Sequence, residues 1–280
     1  LFTDRIDVFV AGASFLARVG IGLFSGVEVV GSLDAIPRRG PLIIAANHSS
    51  NADAVVISGW IQPHLGRRIH WLGKKEMLEW PIIGFFARRI SIHPLERGAA
   101  DVEAYRRALA ILAEGHVLVV FPEGTRSPTG VLQRGREGLA ALALRSGAPI
   151  LPLGISGTHR LWPRGGWPRF APRIRLAVGR PFTLADVLPP GLDPREAKRR
   201  GTEAVMRRIA VLLPPEQRGP YGESGPAGEP DGGGSGDGSD PGGGDRAEGA
   251  DGLSGGADGL SGGADGLSGG ADGLSGGAVG

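Results

Sequence analysis

The chain has 280 residues, with 31 Lys and Arg, 29 Asp and Glu and no cysteine, which excludes disulfides, thiolate catalysis and cysteine-based zinc sites. Its formal charge of +2 conceals an uneven distribution: residues 219–280 hold eleven acidic side chains and one basic, whereas 1–218 hold thirty basic and eighteen acidic, about +12 net. A basic body of this size suits anionic partners: nucleic acid, phosphorylated metabolites or anionic lipid headgroups.

In chain order, residues 1–28 contain the most apolar stretch, VFVAGASFLARVGIGLFSGV at 8–27, interrupted by Arg18. The preferred reading is a shallow membrane-associated helix, with a buried core helix and a true span as alternatives. EVVG and PLIIAAN read as short strands separated by a basic, proline-containing turn. Ala52–Ile61 begins a helix after a polar cluster, Arg68–Leu72 reads as a strand, and GKKEMLEWPIIGFFARR as a surface loop beside an apolar face. Ile90–His93 is a further strand. Asp101–Ala113 carries apolar residues at helical intervals, with Gly115 near its end.

HVLVVF is a strand running into PEGTRS. GREGLAALALRSG follows as a helix, APILPLGISG and RIRLAVGRPF as strands, and PREAKRRGTEAVMRRIAVLL as a basic terminal helix. Strands alternating with helices predict an α/β domain over 29–216, a mixed β-sheet covered by helices. From 217 the composition turns to glycine and aspartate, ending in four DGLSGGA repeats. Each repeat offers one leucine against three glycines, too little apolar surface to offset a backbone ordering cost of about 1–2 kcal/mol per residue. The segment 217–280 is therefore expected to be a disordered tail.

Two polar constellations follow strands. In AANHSSNAD, His48 and Asp53 lie five residues apart, roughly 140° around a continuous helix, so they meet only if a loop or helix entry intervenes. Ser49, Ser50 and Asn51 are residue types that build such an entry by capping free N–H groups. If the pair meets, Asp53 orients the imidazole and leaves its other nitrogen to take a proton; otherwise this is a capped turn with a structural histidine. In VVFPEGTRSPTG, Arg126 offers a rigid donor fork for phosphate. Glu123 would repel phosphate unless it binds a hydroxyl or organises a neighbour. Arg173 and Arg175 suit anionic lipid without specifying it. Trp60, Trp71, Trp80, Trp162 and Trp167 can serve either core packing or an interfacial surface. His93, His116 and His159 are scattered and establish no metal site.

Together these features resemble the glycerolipid acyltransferase family over about residues 25–185. The resemblance rests on Asn47-His48-x-Ser50-x-x-Asp53, on the complete Phe121-Pro122-Glu123-Gly124-Thr125-Arg126-Ser127, and on the apolar Ala148-Pro149-Ile150-Leu151-Pro152-Leu153. It implies transfer of a fatty acyl group from acyl-CoA or acyl carrier protein to the free hydroxyl of 1-acyl-glycerol-3-phosphate, giving phosphatidate, with no cofactor and at the cytoplasmic face of the cell membrane. His48 would be the general base and Asp53 its orienting partner. Arg97, Glu123, Gly124, Thr125 and Arg126 would form the acceptor site. The expected partners are lysophosphatidate, an acyl donor and anionic membrane lipid, and not nucleic acid.

The family's second block departs from pattern. The region reads Arg88-Arg89-Ile90-Ser91-Ile92-His93-Pro94-Leu95-Glu96-Arg97-Gly98, with Arg97 the nearest candidate for acceptor phosphate, Arg88 and Arg89 its competitors, and Lys74 and Lys75 as supporting charge. That departure keeps open an acceptor that is another lipid or a polar metabolite. A noncatalytic anionic-lipid-binding protein is the alternative from outside enzymology.

Overall fold

The computed structural model describes residues 5–31, 33–74, 89–95, 100–163, 165–170 and 173–222. Seven strands form one sheet: β1 (Val27–Gly31), β2 (Leu42–Ala46), β3 (Ile69–Lys74), β4 (Ile92–Leu95), β5 (Val117–Val120), β6 (Ile150–Ser156) and β7 (Ile174–Val178). Their order is β1-β7-β6-β2-β5-β3-β4. Every pairing is parallel except β6 with β7, so the sheet is mixed, as expected.

The central strands explain the layering. All residues of β2 and β6 are buried, the pattern of strands covered on both faces. Alternation in β2 sends Leu42, Ile44 and Ala46 into one apolar layer and Ile43 and Ala45 into the other. The first layer packs against helix α1 (Val8–Phe24) and the helical run of α2 (Ala52–Val56), a π-turn (Ile57–Ile61) and α3 (Gln62–Leu65), through Ile21, Val56, Ile57, Ile61 and Leu65. The second packs against α4 (Ala100–Ala113), α5 (Gly138–Ser146) and α8 (Pro194–Ala210), through Ile111, Leu112, Leu139, Val205, Met206 and Ile209. Two four-residue helices, α6 (Thr158–Leu161) and α7 (Leu184–Val187), complete the described set.

Helix ends follow their local chemistry. Asp7 caps α1 by accepting the N–H of Val10, and Asp193 caps α8 by accepting from Arg195 and Glu196, with Pro194 at the first helical position.

Both edges of the expected domain move. Val27 and Glu28, assigned to the N-terminal segment, pair with Ile174 and Arg175 in the sheet. At the other end the chain continues past 216 through two 3₁₀ turns, and buried Tyr221 accepts the N–H of Gly135 through its hydroxyl. Together with the Gln217 carbonyl, which accepts the N–H of Leu132, this tyrosine ties to the domain a turn that composition assigns to the tail. The remainder of the expected tail lies outside the described residues, as does most of GKKEMLEWPIIGFFARR.

Among the described residues no helix is long and apolar enough to cross a membrane. Helix α1 instead lies along the domain. It buries Val10, Ser14 and Ile21 and leaves Val8, Phe15, Leu16, Val19 and Leu23 exposed.

Candidate active site

Strands β6, β2 and β5 are parallel neighbours, so their C-terminal ends lie side by side, and each leads into a polar loop. This edge of an open α/β sheet is where ligands bind. From β2 comes Asn47-His48-Ser49-Ser50, from β5 the Phe121–Ser127 turn, and from β6 Gly157 and Thr158.

His48 and Asp53 do meet. The chain is non-helical at 48–50 and turns into α2 at Ala52, so Asp53 folds back under the loop that precedes it. Its Oδ2 lies 2.9 Å from His48 Nδ1 and accepts the main-chain N–H groups of Ser49 and Ser50 at 2.7 and 2.8 Å. The fourth bond comes from Thr158, whose hydroxyl donates to Asp53 Oδ1 at 2.5 Å. Asp53 is wholly buried, whereas the His48 side chain keeps 19% of its surface exposed.

The His48 ring stacks on Phe121, centroids 3.9 Å apart and planes 14° off parallel. With Nδ1 facing a carboxylate and one ring face covered, Nε2 is the nitrogen available to a substrate. The serines act as expected of a loop entry: Ser50 Oγ accepts from Ala52 N–H and donates to the Trp162 carbonyl, and Ser49 Oγ pairs with Thr158 Oγ1 at 3.1 Å. Asn51 does not cap; its side-chain carbonyl accepts from Arg126 at 2.9 Å.

The loop is clamped from both flanks. Asn47 donates to the Ile155 carbonyl and accepts the Ile155 N–H, tying the end of β2 to β6. On the β5 side, Ser127 N–H donates to the His48 carbonyl at 2.7 Å. Glu123 departs from its expected place among acceptor-binding residues. It is 3% exposed, and its two carboxylate oxygens accept the main-chain N–H groups of His48 and Gln133. Both oxygens are occupied inward, so Glu123 organises the loops. Burial pushes its carboxyl above the usual range, against the lowering effect of those two bonds.

The neighbouring residues of that turn do face outward. Gly124 has φ +70°, and a Cβ there would lie 2.7 Å from Arg136 Nε, so only glycine lets Arg136 lie over the turn. Thr125 is exposed and Arg126 partly so. Arg136 had no motif to mark it, and neither had Thr158. His159 packs against Gly130, beside the site but outside the His48–Asp53 bond network.

Arg97 lies outside the described residues, as do Arg88, Lys75 and Trp80. Arg89 lies over the Phe9 ring, on the α1 side of the molecule. Trp71 is buried, Trp60 and Trp162 are half-buried, and Trp167 is exposed. His93 and His116 flank His70 in a stacked group on β3, β4 and the entry to β5, with His70 Nδ1 3.0 Å from His93 Nε2. No cluster of metal-ligating residues occurs among the described residues.

An imidazole backed by a buried carboxylate and open at Nε2, at the carboxyl edge of a mixed sheet, has the geometry to take a proton from a substrate hydroxyl. A model of the acyltransferase family matches residues 27–156. The 1-acyl-sn-glycerol-3-phosphate acyltransferase of Pseudomonas aeruginosa is 29% identical over 212 residues, 74% of this chain and 77% of that protein. The enzyme of the same name from Bacillus subtilis is 29% identical over 196 residues, 70% of this chain and 92% of that protein. Among solved structures, the 1-acyl-sn-glycerophosphate (LPA) acyltransferase PlsC of Thermotoga maritima matches with a TM-score of 0.59 and 28% identity, over 72% of this chain and 79% of that one. Over residues 27–156 the chain is thus similar to the acyltransferase family.

Proposed function

We propose that this protein transfers a fatty acyl group from acyl-CoA or acyl carrier protein to the free hydroxyl of 1-acyl-glycerol-3-phosphate, giving phosphatidate, at the cytoplasmic face of the cell membrane. The observation that carries the reading is the His48–Asp53 pair with Nε2 left open. Nε2 accepts the acceptor's O–H, and as the oxygen attacks the thioester carbonyl the proton passes to the imidazole. The tetrahedral intermediate collapses, the C–S bond breaks, and the departing thiolate takes the proton back. Asp53 stabilises the imidazolium throughout without taking its proton.

Direct transfer fits the surroundings. Ser49 and Ser50, the hydroxyls nearest the base in sequence, are engaged with Thr158 and the Trp162 carbonyl, and the chain has no cysteine to carry an acyl group. Arg126, steadied by Asn51, is the described side chain best suited to the acceptor phosphate, with Arg97 a second candidate.

Support for a membrane setting comes from the exposed apolar residues of α1 and from Trp167 and Phe170, 86% and 81% exposed, on the loop beside it. Phe170 meets Phe24 of α1, ring centroids 5.3 Å apart. An apolar groove of about 180 Å³ runs between α1 and this loop, lined by Leu16, Phe24, Val55, Leu161 and Trp162. The charge excess of the body suits anionic headgroups.

The test is an acyl-donor assay with purified protein and lysophosphatidate, read by mass spectrometry. Phosphatidate is the expected product, lost in His48→Ala; turnover confined to a different acceptor would overturn the substrate assignment.

A further inference from the structure

We infer that Thr158 is a positioning residue for the acyl-transfer base: its hydroxyl holds the Asp53 carboxylate in the one orientation that presents His48 correctly. The inference rests on the acyl-transfer reading above and extends it to a residue just past the end of a third strand, outside both polar motifs.

The argument starts from an imbalance within one carboxylate. Asp53 is fully buried, so its carboxylate depends on donors held by the protein. Oδ2 takes three donors, from His48 Nδ1 and from the N–H groups of Ser49 and Ser50. The bond drawn to Oδ1 is the one from Thr158. Those three donors fix where Oδ2 sits, and Thr158 fixes the plane of the group. Without its hydroxyl the carboxylate is free to turn about Cβ–Cγ and share its bonds differently, taking the imidazole with it.

Proton direction follows. A carboxylate accepts only, so the single hydroxyl hydrogen of Thr158 is spent on Asp53, and Ser49 Oγ–H is the donor in the 3.1 Å contact with Thr158 Oγ1. The chain of donors runs Ser49, Thr158, Asp53, and it closes on the residue next to His48.

The backbone is shaped to deliver this hydroxyl. Gly157, just before Thr158, has φ +92°, and a Cβ there would lie 3.1 Å from the Arg173 carbonyl. Glycine turns the chain sharply off β6, whose Ile155 is bonded both ways to the Asn47 side chain. Thr158 therefore arrives from a strand already locked to the loop it serves.

The test is a double-mutant cycle on acyl transfer, combining Thr158→Val, nearly isosteric but without the hydroxyl, with Asp53→Asn. Acting through Asp53, Thr158→Val is expected to lower kcat about 10–100-fold with KM for both substrates within about twofold, and Thr158→Ser to recover most of it. In the Asp53→Asn background the same substitution is expected to cost less than about threefold, because the group it positions has already been altered. Ser49→Ala, which leaves Thr158 in place, serves as a gentler probe should Thr158→Val fold poorly: a smaller drop in kcat is expected, again suppressed with Asp53→Asn. Equal losses in both backgrounds, a rise in KM at constant kcat, or full activity in Thr158→Val would each overturn the inference. A wild-type protein that makes no phosphatidate would instead sink the substrate assignment, and the cycle would then be read on the acceptor it does use.

Discussion

The Glu123 carboxylate accepts the main-chain N–H of His48 at 2.6 Å, so the loop bearing the base and the turn bearing Arg126 are joined by one bond across 75 residues of sequence. Its second oxygen holds Gln133 at 2.9 Å. Replacing it by glutamine puts an N–H₂ where one of two acceptors stood. Glu123→Gln is expected to lose about 1–3 kcal/mol of stability, the cost of one unsatisfied buried donor, and to lower kcat without raising KM for the acceptor. Chemical denaturation alongside steady-state kinetics checks both; a selective KM effect would return Glu123 to the substrate surface.

For the base itself, His48→Ala is expected to reduce turnover by about 10²–10⁴-fold, the usual contribution of a positioned general base. Asp53→Asn should approach the same loss while KM changes little, since the carboxylate contacts no substrate. Initial-rate assays at saturating donor separate the two constants.

Arg126 has the opposite signature. Arg126→Ala is expected to raise KM for the phosphorylated acceptor about tenfold or more, and Arg126→Lys to recover only part, because an ammonium cannot reproduce the guanidinium fork. Asn51→Ala should give a weaker version, as it frees Arg126 without removing it. An acceptor lacking phosphate should be indifferent to all three changes.

His93 supplies a pH dependence of stability. Burial first, and the Arg107 charge second, bring it from the ordinary 6.5 to about 4. Between those values the unfolded chain binds a proton that the folded chain does not, so stability is fully present above about pH 6.5 and falls as pH drops toward 4. Among the described residues His70, His116, Glu114 and Arg107 are titratable or charged groups of this cluster, and they are retained in His93→Gln. That variant is expected to flatten the acid limb of the melting-temperature curve relative to wild type, measured between pH 4 and 7.

Membrane contact is tested by co-flotation with vesicles. Leu16→Ser with Leu23→Ser, and separately Trp167→Ser with Phe170→Ser, are expected to weaken binding to anionic vesicles while leaving the melting temperature nearly constant, since all four side chains are exposed. Unaltered flotation in both pairs would remove the apolar face as the contact surface.

The strands were legible because β2, β5 and β6 are apolar runs bounded by turn residues, and all three appear within a residue or two of where periodicity places them. His48 and Asp53 were legible as a pair because the intervening Ser-Ser-Asn is loop-forming. Glu123 was legible only as a choice between binding a hydroxyl and organising a neighbour, because the partners of its two oxygens, the N–H groups of His48 and Gln133, are brought to it by the fold. Thr158 was invisible because its partner lies 105 residues away and a threonine after a strand has no pattern of its own. The shift of the domain's end to Tyr221 has the same origin, long-range contacts of Gln217 and Tyr221 with Leu132 and Gly135 within a composition that favours disorder.

The π-turn at Ile57–Ile61 has a consequence for the chain's tolerance of insertions and deletions. Such a turn amounts to one residue too many in an α-helix, rotating everything after it by roughly 100°. With that offset, Gln62 donates to Ser14 on α1 and accepts the N–H of Ile69 at the start of β3, while the Gly59 carbonyl receives Arg18. Removing a single residue from this run would restore an ordinary helix and aim Gln62 away from both partners. The surplus residue is thus the gear tooth that keeps α1, the helix carrying Asp53 and the edge of the sheet in step. Length here is set by mechanics: changing the residue count of the run would shift every contact made after it.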